Sequence, residues 1–167
     1  EGATCVILEK FDAEGALQAI QDHKVTHSQW VPTMFVRMLK LPNEVRDKYD
    51  VSSLKAAIHA AAPCPIPIKE MMIEWWGPVI NEFYAGTEGY GFCQINSEDW
   101  LGHRGSVGKA VMGEVRSVDG NGVETSTGSS GTIYFAKGRE FEYHKDPAKT
   151  AASRHSKGWT TLGDIGY

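Results

Sequence analysis

Asn81-Glu82-Phe83-Tyr84-Ala85-Gly86-Thr87-Glu88-Gly89 is the stretch on which the reading of this chain turns. The apolar, aromatic run from Pro78 to Phe83 is short enough for a buried strand, and it feeds directly into a loop with two glycines. In open α/β sheets ligands gather at the carboxyl ends of strands, where side chains escape the packed core. Gly86 and Gly89 let the backbone turn sharply and approach a ligand closely. Between them the Thr87 hydroxyl can donate to a phosphate oxygen, and the Glu88 carboxylate suits a hard cation such as Mg²⁺. Tyr84 offers a flat face to an aromatic base. The same residues also make an ordinary turn, with Glu88 solvated and Thr87 capping, and local chemistry leaves both readings open.

Upstream of this stretch, strands and helices alternate. Thr4 to Leu8 is an apolar run rich in β-branched residues and reads as a buried strand. Asp12 can cap a helix from Ala13 to about His23 that turns Ala16, Leu17 and Ile20 inward. Val25 to Val31 reads as a second strand. Pro32 then opens a helix, since proline fits the first turn, and Phe35 and Met38 mark its core-facing side. Pro42 to Asp50 is polar, a short helix and a connection. Leu54 to Ala62 is compact and ends at Pro63-Cys64-Pro65, which hold the backbone extended. His59 beside this run has two readings, a structural hydrogen-bonding group or a substrate-facing one. Pro67 to Trp76 is amphipathic at helical spacing, and Gly77-Pro78 ends it.

Downstream the pattern changes. Gly105 to Ala136 holds short strands, Ser106 to Val111, Glu114 to Val118 and Thr132 to Ala136. Asp119-Gly120-Asn121-Gly122 forms a hairpin turn. Gly128 to Gly131 lacks a following Lys-Ser or Lys-Thr and is a poor phosphate cradle. The expected fold is therefore α/β, a mostly parallel sheet covered by helices over residues 1–100, followed over 101–167 by a small antiparallel, barrel-like β subdomain.

The 167 residues, 41% hydrophobic and 23% charged, are ordinary composition for a domain with its own core. A net charge of −4 gives no electrostatic footprint for nucleic acid. The 17 basic residues are dispersed, which argues against a polybasic membrane anchor, and no stretch approaches the roughly 18 apolar residues needed to span a bilayer. Cys5, Cys64 and Cys93 show no C-x-x-C spacing and read as free thiols in a reducing compartment. This favours a cytoplasmic protein, with a membrane-peripheral placement left open. Glu1 precedes what reads as a strand already under way, and Tyr167 follows an apolar motif at once. The chain is expected to be a piece of a longer protein, with cut sheet edges that favour self-association.

Tyr84-Ala85-Gly86-Thr87-Glu88 resembles the Y-G-x-T-E signature of the adenylate-forming enzymes: acyl-CoA synthetases, luciferases and peptide-synthetase adenylation domains. Within that superfamily the chain is most similar to the fatty-acyl-CoA ligases, over essentially its whole length. Further segments fit the family. Val31-Pro32-Thr33-Met34-Phe35 resembles V-P-T-x-F. His59-Ala60-Ala61-Ala62-Pro63 resembles S-G-G-A-P, with alanines for the glycines. Gly105-Ser106-Val107-Gly108-Lys109 resembles G-S-V-G-x-P, with Ala110 for the proline. Tyr143 to Thr150 resembles Y-x-x-x-P-x-x-T, to which a structural role is given. Trp159 to Ile165 resembles W-x-x-T-G-D-I/L, with Leu162 in the place of the usual Thr.

The resemblance implies an enzyme that joins a fatty or related carboxylate to ATP, giving acyl-adenylate and pyrophosphate, after which CoA displaces AMP. It implies that Tyr84 stacks on adenine beside Ala85, Gly86 and the backbone of Ala61, Ala62 and Pro63. Thr87 would contact the α-phosphate, Glu88 would hold Mg²⁺, and Asp164 would bind the ribose hydroxyls, a task that suits a carboxylate acceptor. Thr87 and Glu88 are the catalytic candidates, and His59, Trp30 and Met34 the candidates for the acyl site. No Ser/Thr/Gly-rich loop ending in Pro-Lys is present, nor the hinge and lysine-bearing domain that follow in the family. The 167 residues alone are expected not to make acyl-adenylate. A stand-alone, non-catalytic nucleotide- or acyl-binding module is the alternative.

Overall fold

The computed structural model describes residues 2–167. Glu1, expected to precede a strand, lies outside them. Two compact units divide the chain, Glu1–Phe83 with Ile95–Gly108, and Tyr84–Gln94 with Lys109–Tyr167.

In the first unit the helix α1 (Ala13–His23) begins where Asp12 caps it, the carboxylate accepting from the Gly15 N–H at 2.7 Å. Lys24 ends it in the left-handed conformation, φ 48°. Strand β1 (His27–Trp30) follows, then α2 (Pro32–Leu39), opened by its proline, and the single turn α3 (Asn43–Arg46). Strand β2 (Ala56–His59) runs parallel to β1, pairing Trp30 with His59. Helix α4 (Ile66–Trp76) crosses over to β3 (Ile80–Ala85), which is parallel to β2 and pairs Glu82 with His59. Leu17, Phe35, Met38, Met72 and Ile80 are wholly buried, and the rings of Trp30 and Trp76 meet edge-on at 5.5 Å. Apolar area removed from water at about 25 cal/mol per Å² drives this packing.

Thr4 to Leu8 is not a strand. Val6, Ile7 and Leu8 are exposed, Ile7 to 85%. A β-branched run supplies only fit to a pleated surface, and here it lies on no neighbouring strand.

Strand β4 (Phe92–Asn96) and helix α5 (Ser97–Gly102) carry the chain onward. Asn96 caps α5 by accepting from the Asp99 N–H at 2.8 Å. Strand β5 (Lys109–Met112) pairs antiparallel with β4, and the larger, five-stranded sheet has the order β1-β2-β3-β4-β5. That sheet is mixed. The remaining strands, β6 (Glu114–Val118), β7 (Gly131–Ala136) and β8 (Ile165–Gly166), form a second, antiparallel sheet of order β6-β7-β8, with the short helix α6 (Pro147–Ala152) between the last two strands. The barrel-like expectation is overturned. Closure needs the outer strands to pair with each other, whereas β6 and the two-residue β8 both pair with β7. The hairpin turn forms where expected, the Asp119 carboxylate accepting from the Asn121 and Val123 N–H groups at 2.9 Å each.

After β2 the chain places Ala61 at φ +75°, a conformation that suits glycine. An L-residue there carries about 1–2 kcal/mol of strain. Ala61→Gly removes it while adding chain entropy to the unfolded state, so a net gain of about 0.5–1 kcal/mol is expected. Urea melts of the two proteins check this, and a loss on substitution would mean the methyl group packs. Among the described residues, no helix is long and apolar enough to cross a membrane.

Candidate functional site

The second unit gathers Tyr84, Ala85, Gly86, Thr87, Glu88 and Asp164. At the end of β3 the backbone closes on itself, the Gly89 N–H donating to the Gly86 carbonyl at 3.0 Å. Thr87 and Glu88 occupy the two central positions of this turn, and Gly89 takes φ +72°. Gly86 is needed for space rather than for its backbone angle. A Cβ at this position would stand 2.7 Å from Glu88 Oε2, 2.7 Å from Leu162 Cδ1 and 2.8 Å from Tyr90 Cε1. The Thr87 hydroxyl lies 3.5 Å from Glu88 Oε2, a weak contact that leaves both groups available.

Asp164 meets Tyr84, eighty positions earlier on β3. The Tyr84 hydroxyl donates to Asp164 Oδ2 at 2.7 Å. Asp164 is set in place by β7: its carbonyl accepts from the Ile133 N–H at 2.8 Å. The buried Thr161 hydroxyl donates to the Ile133 carbonyl at 2.6 Å and accepts from the Gly163 N–H at 2.9 Å. Gly163, at φ +93°, supplies the turn into the aspartate. The ring of Tyr84 stacks on Phe135, with centroids 6.0 Å apart and planes at 26°.

Three phenols surround the two carboxylates. Burial, and then the bond to Asp164, raise the pKa of Tyr84 well above its ordinary value. Burial pushes Tyr90 up to about 12. Tyr143 is raised by partial burial and by its bond to Glu88, whose Oε1 accepts from the Tyr143 hydroxyl at 3.0 Å. All three remain protonated at neutral pH. Neither Tyr90 nor the Tyr143 contact is foreseen from the sequence, because Tyr143 and Glu88 are 55 positions apart.

The first unit holds the other candidates. Trp30 and His59 are buried, both against the Phe35 ring, while Met34 is half-buried at the edge of the same core. Ala61, Ala62 and Pro63 are exposed beyond β2. His59 sits beside a buried ion pair that sequence reading missed. Lys69 Nζ donates to Glu82 Oε2 at 2.6 Å and lies 4.7 Å from the Trp100 ring centroid. His59 Nε2 is 3.6 Å from the same carboxylate oxygen. Burial, and then the Lys69 charge, hold the His59 pKa down at about 4, so it is neutral and its contact with Glu82 is not a salt bridge. Burial also pushes the Cys64 and Cys93 thiols up to about 11, which removes both as nucleophiles.

Among the described residues no cluster of three or more His, Cys, Asp or Glu side chains is placed to cage a metal. Mg²⁺ does not require one. It keeps several waters and takes one or two protein carboxylates together with substrate phosphates. Glu88, on a turn beside a hydroxyl, fits that donor set, and Asp164 with Tyr84 fits a ribose and a flat base.

A family model described as "AMP-binding enzyme" matches residues 1–139. The chain is 29% identical over 172 residues to 4-coumarate–CoA ligase-like 2 of Arabidopsis thaliana, covering 99% of this chain and 30% of that protein. It is 30% identical over 176 residues to 4-coumarate–CoA ligase 2 of Nicotiana tabacum, covering 99% and 32% respectively. Among solved structures it superposes on the amide bond synthetase McbA from Marinactinospora thermotolerans with a TM-score of 0.82 at 25% identity, over 95% of this chain and 33% of that one. The N-terminal domain of FACL13 from Mycobacterium tuberculosis gives a TM-score of 0.77 at 25% identity, over 95% and 40%. The chain thus spans about a third of the length of the relatives it matches. With its fold shared along nearly its whole length and its β3 turn inside the matched residues, the chain belongs to the AMP-binding enzyme family.

Proposed function

We propose that these residues are the nucleotide-binding portion of an ATP-dependent carboxylate–CoA ligase. The whole enzyme would join a carboxylic acid to ATP as an acyl-adenylate, releasing pyrophosphate, and CoA would then displace AMP. The observation that carries this reading is the 2.7 Å bond from Tyr84 to Asp164. It joins the ends of two motifs 80 residues apart into one polar site with a flat ring beside a carboxylate. Similarity to relatives named as CoA ligases supports the second half-reaction.

In this reading Tyr84 lies against the adenine and Asp164 accepts from the ribose hydroxyls. Ala85 and Gly86 let the base approach the backbone. Ala61, Ala62 and Pro63 are nucleotide-contacting backbone on grounds of resemblance. Thr87 donates to the α-phosphate, and Glu88 holds Mg²⁺, which offsets phosphate charge when bound. Neither half-reaction needs a nucleophilic side chain, so the protein contributes positioning and electrostatic stabilisation. The acid is a fatty acid, with half-buried Met34 as the candidate for its chain, while Trp30 and His59 are packed within the core. A substrate panel that sets fatty acids against 4-coumarate tests that point. The isolated 167 residues are expected not to catalyse ATP–pyrophosphate exchange, and measurable exchange by them would overturn this.

Calorimetric binding of a non-hydrolysable acyl-adenylate analogue to the full-length parent enzyme tests the site. A hydrogen bond to a charged group is worth about 1.5–3 kcal/mol, so Asp164→Ala is expected to weaken binding about 10- to 100-fold. Equal affinity in the variant would remove Asp164 from the ribose and with it the reading of the site.

A further inference from the structure

We propose that Tyr143 is a positioning residue for Glu88, holding that carboxylate in the orientation in which it takes the magnesium ion. The inference rests on the proposed role of Glu88.

Tyr143 is itself fixed on three sides. Its backbone N–H donates to the Thr150 hydroxyl at 2.9 Å, and that hydroxyl donates to the Asp146 carbonyl at 2.9 Å, which ties the residue to the first turn of α6. Its ring meets Phe141 edge-on at 5.2 Å and carries the Lys149 ammonium 4.0 Å from its centroid. From this anchored ring the hydroxyl donates to Glu88 Oε1 at 3.0 Å. Its other oxygen, Oε2, meets the Thr87 hydroxyl at a weak 3.5 Å. One oxygen is thereby occupied by a protonated phenol and the other remains for an ion. Carboxylates that bind metals are commonly held in this way by an outer hydrogen bond, and removing the outer partner typically costs about 10- to 100-fold in metal affinity.

The test uses the full-length parent enzyme with Mn²⁺ as a paramagnetic stand-in for Mg²⁺. Binding is followed by electron paramagnetic resonance in the presence of a non-hydrolysable ATP analogue. Tyr143→Phe, which keeps the ring and its packing, is expected to weaken Mn²⁺ binding about tenfold or more. It should raise the Mg²⁺ concentration needed for half-maximal ATP–pyrophosphate exchange in proportion and leave the KM for the acid unchanged. Glu88→Gln is the reference, and the double variant Tyr143→Phe/Glu88→Gln should bind no more weakly than Glu88→Gln alone. Wild-type Mn²⁺ affinity in Tyr143→Phe alongside loss in Glu88→Gln would overturn the role of Tyr143 and leave the proposed function standing. Wild-type affinity in Glu88→Gln would overturn the metal role of Glu88 itself, and this inference with it.

Discussion

Lys69→Met is expected to destabilise the fold by about 3–5 kcal/mol, the range found when one partner of a buried ion pair is removed. The Lys69 side chain is fully buried and that of Glu82 is 9% exposed, so water cannot replace the missing partner. The ammonium lies 2.6 Å from the carboxylate and against the face of Trp100. Removing it leaves a buried negative charge beside the neutral His59. The converse holds for the pair as a whole. Two desolvated ions recover little more than their hydration cost, so Lys69→Met/Glu82→Leu should regain most of the loss. Urea denaturation of the wild type, both single variants and the double variant measures this directly. A single-variant loss below about 1 kcal/mol would show that the carboxylate finds water or another cation.

The second large effect is a loss of stability in mild acid caused by His59. Its pKa is about 4 in the folded protein against an ordinary 6.5, mainly through burial and then through Lys69. Glu82 would favour the imidazolium, but its charge is committed to Lys69. Between pH 6.5 and 4 the unfolded chain therefore binds a proton that the folded one does not. Stability is fully present above the upper value and falls as pH drops toward the lower one. A shift of this size corresponds to about 3 kcal/mol. Unfolding free energies measured across that window should show the slope, and His59→Leu should flatten it. An unchanged slope in the variant would place the acid sensitivity elsewhere.

Much of the first unit is legible locally because its signals are local. Asp12 marks the start of α1, Pro32 the start of α2 and Gly77 the end of α4, each acting within a turn of its own position. The fold departs from the reading where a partner decides. Thr4 to Leu8 has strand composition without a strand to lie on. Strand β4, with which Lys109–Met112 pairs, lies in a stretch given no element from the sequence, although the Asn96 cap with Glu98 and Asp99 behind it announced α5. At the site the pattern repeats. The turn from Gly86 to Gly89 is visible in its glycines. By contrast, the bonds from Tyr84 to Asp164 and from Tyr143 to Glu88, and the ion pair of Lys69 with Glu82, span 80, 55 and 13 positions. No spacing rule connects such residues, since only the folded chain brings them together.

The Gly86 to Gly89 turn has a kinetic consequence. Its shape is closed by its own backbone hydrogen bond and needs no ligand to complete it. The entropy of ordering Thr87 and Glu88 is therefore lost when the chain folds rather than when a nucleotide arrives. In the proposed function, capture of a nucleotide by this turn should accordingly follow the frequency of encounter, with no slow isomerisation of the loop separating first contact from the bound state.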